Sequence, residues 1–129
     1  MPNRANDWLL QAEHDLKHAS HARDVGDHDW ACFAAQQAAE KAVQALHQAH
    51  GQEAWGHSVL RLLTDAPVGP PEALIEQART LDTYYVPARY PNGHFSGPAF
   101  EYYGPLQSEQ ALRHAGDIVE FVRQALARD

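Results

Sequence analysis

The stretch Asp29-Trp-Ala-Cys-Phe-Ala-Ala-Gln-Gln-Ala-Ala-Glu-Lys-Ala-Val-Gln-Ala-Leu-His-Gln-Ala-His50 decides the fold. Ala31, Ala34, Ala35, Ala38, Ala42, Ala45 and Ala49 recur at intervals that set them on one broad stripe of a helix. Alanine holds a helix at little cost and lets a neighbouring backbone approach closely. Such a helix, flanked by Trp30, Phe33, Val43 and Leu46, belongs at the centre of a bundle. It also carries a polar line, Gln36, Glu40 and His47, with Gln37, Lys41 and Gln44 beside it. One reading makes these Glu–Lys and Gln pairs on a solvent or dimer face, and the pattern favours it. The other makes them the polar wall of a nucleotide pocket.

Upstream, a helix is expected from about Asn3 to Val25, with Leu9, Ala12, Leu16 and Ala19 on one stripe. His14, His18 and His21 share the opposite face and read as solvated side chains rather than metal ligands. Gly26 ends this helix, and Asp27 or Asp29 caps the next. Downstream, Gly51 closes the alanine-rich helix, and a short one opens at Trp55-Gly-His57-Ser, with Val59, Leu60, Leu62 and Leu63 inward and His57 capping or packing it. Pro71 suits the first turn of a fourth helix, which runs to about Tyr85 and turns Leu74, Ala78, Leu81 and Tyr85 to the core. Pro105 opens the last helix, ending near Arg128, with Leu112, Ala115, Val119, Val122 and Leu126 as its seam and Ile118 and Phe121 widening it. No segment has a strand period. The expected fold is an all-α, up-and-down bundle of four long helices plus one short helix, a single domain over residues 1–129.

One segment escapes the helical pattern. From Pro87, whose ring opposes further helix, about 18 residues run without periodicity to Gly104, longer than connections in compact domains usually are. Seven of the nine Phe and Tyr residues lie between Tyr84 and Tyr103, which excludes the aromatic-poor composition of disorder. A long ordered loop is expected before the last helix, with Arg89, His94 and Glu101 held in place on it.

The totals narrow the function. At 129 residues, 44% hydrophobic and 21% charged, the composition is that of a globular domain. A net charge of −7 argues against a general grip on nucleic-acid phosphates, so any RNA or nucleotide site must be a local positive patch. Cys32 is the only cysteine, which rules out an intrachain disulfide and a thiolate zinc site. No apolar run approaches the ~20 residues of a membrane span, and the N-terminus has no signal-peptide core, so a cytoplasmic protein is expected. No cofactor or metal is implied.

Three segments, Phe33-Ala-Ala-Gln-Gln-Ala-Ala-Glu-Lys-Ala-Val-Gln-Ala-Leu46, Gly56-His-Ser-Val-Leu-Arg-Leu-Leu63 and Tyr84-Tyr-Val-Pro-Ala-Arg-Tyr-Pro-Asn92, together resemble the HEPN domain, the higher eukaryote and prokaryote nucleotide-binding domain. The resemblance covers nearly the whole chain. It implies a helical bundle that commonly forms a homodimer, often encoded beside a minimal nucleotidyltransferase in a toxin–antitoxin-like pair. Many members are metal-independent endoribonucleases with an Arg-x(4–6)-His signature supplied by both protomers, and Arg89 and His94 match that spacing. The chemistry fits: a histidine can move the proton of an RNA 2′-hydroxyl, and a guanidinium can stabilise charge developing at phosphorus. Here, however, Tyr90 and Pro91 follow the arginine, as in the nucleotidyltransferase-associated branch, and the pair lies in a loop ahead of the last helix.

Arg89 is therefore the candidate phosphate ligand, with Tyr85 and Tyr90 to stack a base or shape the pocket, Glu40 and Asn92 as further binding candidates, and Lys41 and Arg79 as added charge. Arg89 and His94 are the catalytic candidates. Three functions stay open: a nucleotide- or RNA-binding companion of the nucleotidyltransferase, a ribonuclease toxin, and a non-catalytic interaction module for that partner.

Overall fold

The computed structural model describes residues 3–128; Met1, Pro2 and Asp129 of the expected domain lie outside them. Five α-helices follow one another, α1 (Ala5–Asp24), α2 (His28–Ala49), α3 (Val59–Thr64), α4 (Glu72–Asp82) and α5 (Pro105–Ala127). Two single 3-10 turns, Pro91–Gly93 and Ala99–Tyr102, lie between α4 and α5. The architecture is the expected all-α bundle. No strand occurs among the described residues.

α2 touches every other helix. Ala31, Ala35, Ala38, Ala39, Ala42 and Ala45 are completely buried, as are Val43 and Leu46. Their small size brings α1 and α5 onto the α2 backbone, where Ala12 and Ala19 of α1 and Ala111, Ala115, Ile118 and Val122 of α5 complete the core. Gly26 sits at φ +86° after α1 and Gly51 at φ +69° after α2, so the glycines end both helices as expected. Asp27 occupies the cap position of α2, but neither it nor Asp29 caps with its side chain.

The polar line of α2 does not face solvent, and that expectation is corrected. Gln36, Glu40, Gln44 and His47 are buried, turned toward the irregular segment between α2 and α3 and, for His47, toward α3 itself. Backbone there has no ladder to satisfy it, and buried carbonyls need donors. Gln36 Nε2 donates to the His57 carbonyl at 2.8 Å, Gln44 Nε2 to the Ala54 carbonyl at 3.0 Å, and His47 Nε2 bonds the Leu62 carbonyl at 2.8 Å. No buried side-chain nitrogen or oxygen among the described residues lacks a partner.

Asp82, at the end of α4, fastens the same segment from the other side. Its carboxylate accepts from Val59 N at 2.8 Å, Leu60 N at 3.0 Å, the Ser58 hydroxyl at 2.9 Å and Gln36 Nε2 at 3.3 Å. Two orphan amides of α3 are thus satisfied from another helix, and Ser58 Oγ accepts from Arg61 N. Ser58, not His57, caps α3.

α4 stops at Asp82, three residues short of the expected Tyr85, and Pro71 caps it from just outside rather than joining its first turn. Beyond Asp82 the chain tightens: Tyr84 N donates to the Leu81 carbonyl and Tyr85 N to that of Asp82. With three residues per turn instead of 3.6, the residue three after Leu81 inherits its inward direction. Tyr84 is therefore buried, and Tyr85 lies half-exposed outside the core.

Asp82→Ala would strand two helix amides and the Gln36 amide together. A loss of about 3 kcal/mol is expected in urea unfolding. A change within about 0.5 kcal/mol would contradict the role given to this carboxylate.

Candidate functional site

The residues after α4 turn Arg89 back over α2. Arg89 N donates to the Val86 carbonyl, and Arg89 Nε donates to the Tyr85 carbonyl at 2.8 Å. The guanidinium carbon then lies 4.3 Å from the ring centre of Phe33, 4.8 Å from that of Tyr85 and 5.2 Å from that of Tyr90. Three ring faces within about 6 Å make a cation–π cradle. The other half-buried cations, Arg23 and Lys41, pair with Asp24 and Asp15. Arg89 is half-buried with no carboxylate partner among the described residues.

The cradle continues into α2. Tyr85 stacks on the His57 imidazole, centres 5.1 Å apart and planes 17° apart. His57 Nδ1 donates to Glu40 Oε1 at 2.8 Å, and Gln37 Nε2 donates to Glu40 Oε2 at 2.9 Å. Burial pushes the Glu40 carboxyl above its ordinary value, while the His57 and Gln37 hydrogen bonds and the Lys41 charge oppose this. Phe33 links the cradle to Trp30, edge to face at 6.0 Å.

His94 is fixed on the same loop. Gly93 packs so closely on Pro87 that a Cβ would lie 2.9 Å from the proline Cα, and only glycine permits this approach. That contact lets His94 Nε2 donate to the Pro87 carbonyl at 2.7 Å. The imidazole stacks on Tyr102 at 4.2 Å and meets Tyr103 edge-on at 5.6 Å. Tyr103 in turn abuts the buried Tyr84. The loop is only partly packed: Tyr84 is buried and Tyr85 and Tyr103 half-buried, but Tyr90, Phe95, Phe100 and Tyr102 are exposed, as is Glu101, which corrects the expectation drawn from its aromatic content.

Of the sequence candidates, Arg89, Tyr85 and Tyr90 come together, and Glu40 joins them through His57. Lys41 lines a cleft with Phe33 and Gln37, its charge paired with Asp15. Asn92 is exposed on the Pro91–Gly93 turn. Arg79 is exposed and paired with Glu76, so its charge is not free for the site. Phe33 and His57 were missing from the candidates. Phe33 carries one signal, its place three residues before Gln36, which heads the polar line; the contact of His57 carries none, because its partner is 17 residues away. Cys32 is no nucleophile: burial, then the Asp29 charge, push its thiol up to about 12. Among the described residues no cluster of three or more His, Cys, Asp or Glu could hold a metal ion.

Comparison with known proteins identifies the family to which the fold belongs. The family described as the HEPN domain matches residues 5–125. The crystal structure of TT1696 from Thermus thermophilus is 54% identical, with a TM-score of 0.93 over 95% of this chain and 98% of that one. ST0689, an archaeal HEPN homologue, is 38% identical, with a TM-score of 0.83 over 96% and 98%. An HEPN domain protein from Thermotoga maritima is 34% identical, with a TM-score of 0.79 over 95% and 99%. The curated proteins give no match. The chain belongs to the HEPN family.

The Glu40 environment makes a pH prediction. A carboxyl whose folded pKa is raised favours the folded state below its unfolded pKa, and that contribution is lost as pH climbs through the folded pKa. Glu40→Gln removes the titration. The wild-type urea midpoint should fall relative to that of Glu40→Gln as pH rises above the ordinary carboxylate range. A difference that stays constant over that rise would show that burial does not govern this carboxyl.

Proposed function

We propose that the chain binds a nucleotide or RNA phosphate at Arg89, as a homodimer and as the cytoplasmic companion of a minimal nucleotidyltransferase in a toxin–antitoxin-like pair. The observation that carries this reading is the half-buried guanidinium with no carboxylate partner among the described residues, in a chain of net charge −7. Acidic residues are plentiful, and a guanidinium serving structure alone could have been paired with one. Its Nε is used to hold the side chain, so the Nη atoms remain as donors for a phosphate. The rings of Phe33, Tyr85 and Tyr90 place apolar surface against the guanidinium, which strengthens a charged hydrogen bond from it. Tyr90 offers an exposed ring on which a base can stack.

Arg89→Ala should weaken binding of a short single-stranded oligoribonucleotide about tenfold or more and reduce the salt dependence of log K by about 0.7 per site. Unchanged affinity and slope would remove Arg89 from the site.

A second reading, the metal-independent endoribonuclease, is favoured by the His94 tautomer. With Nε2–H donated to the Pro87 carbonyl, Nδ1 carries the free lone pair that a general base needs. RNA cleavage without added metal should then vanish in Arg89→Ala and in His94→Gln, whose amide keeps the donor to Pro87 but cannot act as base. Cleavage that survives His94→Gln would leave only binding.

A further inference from the structure

Resting on the reading of Arg89 as a phosphate ligand, we infer that the cleft lined by Phe33 between α1 and α2 is a nucleobase subsite selective for bases bearing an exocyclic amine. The cleft, about 270 Å³, lies between α1 and α2, and its walls include Asp15, Trp30, Phe33, Ala34, Gln37 and Lys41. Phe33 is common to both places: its ring carries the Arg89 guanidinium and also lines the cleft. A phosphate on Arg89 and a base in the cleft would thus share Phe33 as a common wall. Trp30 stands at 80° to Phe33 and remains 52% exposed, which leaves ring surface for a flat ligand.

Selectivity follows from the direction of an amide relay. Gln36 Nε2 donates to the His57 carbonyl and to Asp82, neither of which can donate in return. Gln36 Oε1 is thereby the acceptor, and Gln37 Nε2 donates to it at 2.9 Å and to Glu40 at 2.9 Å. Both N–H groups of Gln37 are used, and its Oε1 is the amide atom with no partner among the described residues. Asp15, accepting from Gln11 at 2.9 Å and from Lys41, adds further acceptor capacity. Lys41 and His18 also line the cleft, and the Lys41 ammonium is paired with Asp15. The acceptor that the relay leaves open, Gln37 Oε1, suits an amine such as the N6 group of adenine or the N4 group of cytosine. A base with hydrogen in that place leaves the acceptor unanswered.

The test compares AMP with purine riboside 5′-monophosphate, in which hydrogen replaces the amine, by calorimetric titration of the full chain. AMP should bind about tenfold more tightly, equivalent to 1.4 kcal/mol. Gln37→Lys, which keeps a donor to Glu40 but removes the acceptor, should erase that ratio. Trp30→Ala, at an exposed position that folding tolerates, should weaken both ligands. Equal binding of the two nucleotides, or a ratio that survives Gln37→Lys, overturns the subsite and leaves phosphate binding at Arg89 standing. An AMP preference that depends on Gln37 but ignores Arg89→Ala keeps the subsite and sinks the phosphate reading. No binding by either nucleotide sinks the subsite, and the oligoribonucleotide titration of Arg89→Ala then decides the phosphate reading.

Discussion

The arrangement depends on a carboxylate that closes one helix and begins another. Asp82 takes the free amides of Val59 and Leu60, so α3 starts where α4 ends, and Gln36 of α2 completes the junction. Charged acceptors serving helix amides are among the stronger hydrogen bonds a protein makes. From this junction two things follow. The segment bearing His57 is drawn against α2, and the chain leaving Asp82 is aimed so that Tyr84 enters the core while Tyr85 and Arg89 turn outward over Phe33.

Buried polar side chains on α2 acquire a direction as well as partners. Gln36 and Gln37 are adjacent amides, and each could be turned either way in isolation. The carbonyl of His57 and the carboxylate of Asp82 can only accept, and this sets the polarity of the row. The direction of these amides is therefore set by a backbone carbonyl on the segment before α3. Burial has a cost at Glu40, whose carboxyl is pushed upward, and the imidazole of His57 partly offsets it.

Much of the fold was legible because its signals are local. Alanine spacing placed α2 at the centre, Gly26 and Gly51 ended their helices, and Pro105 opened the last one. The errors arose where distant residues decide. The polar line read as a solvent or dimer face because nothing in its periodicity reveals the carbonyls of Ala54, His57 and Leu62 lying opposite. Tyr85 was assigned inward on a 3.6-residue count that no longer held once the chain tightened after Asp82. The site was partly legible in the same way: Arg89, Tyr85 and Tyr90 are near in sequence, whereas Phe33 and His57 reach them only through the tertiary fold.

The lone thiol has a practical meaning of its own. Cys32 lies sealed in α2 beneath Tyr84 and Tyr103, with its proton held tightly. It cannot crosslink two copies or meet an alkylating reagent while the helices are closed. Its slow labelling would instead count how often this end of the molecule breathes, giving the native chain an internal clock for its openings.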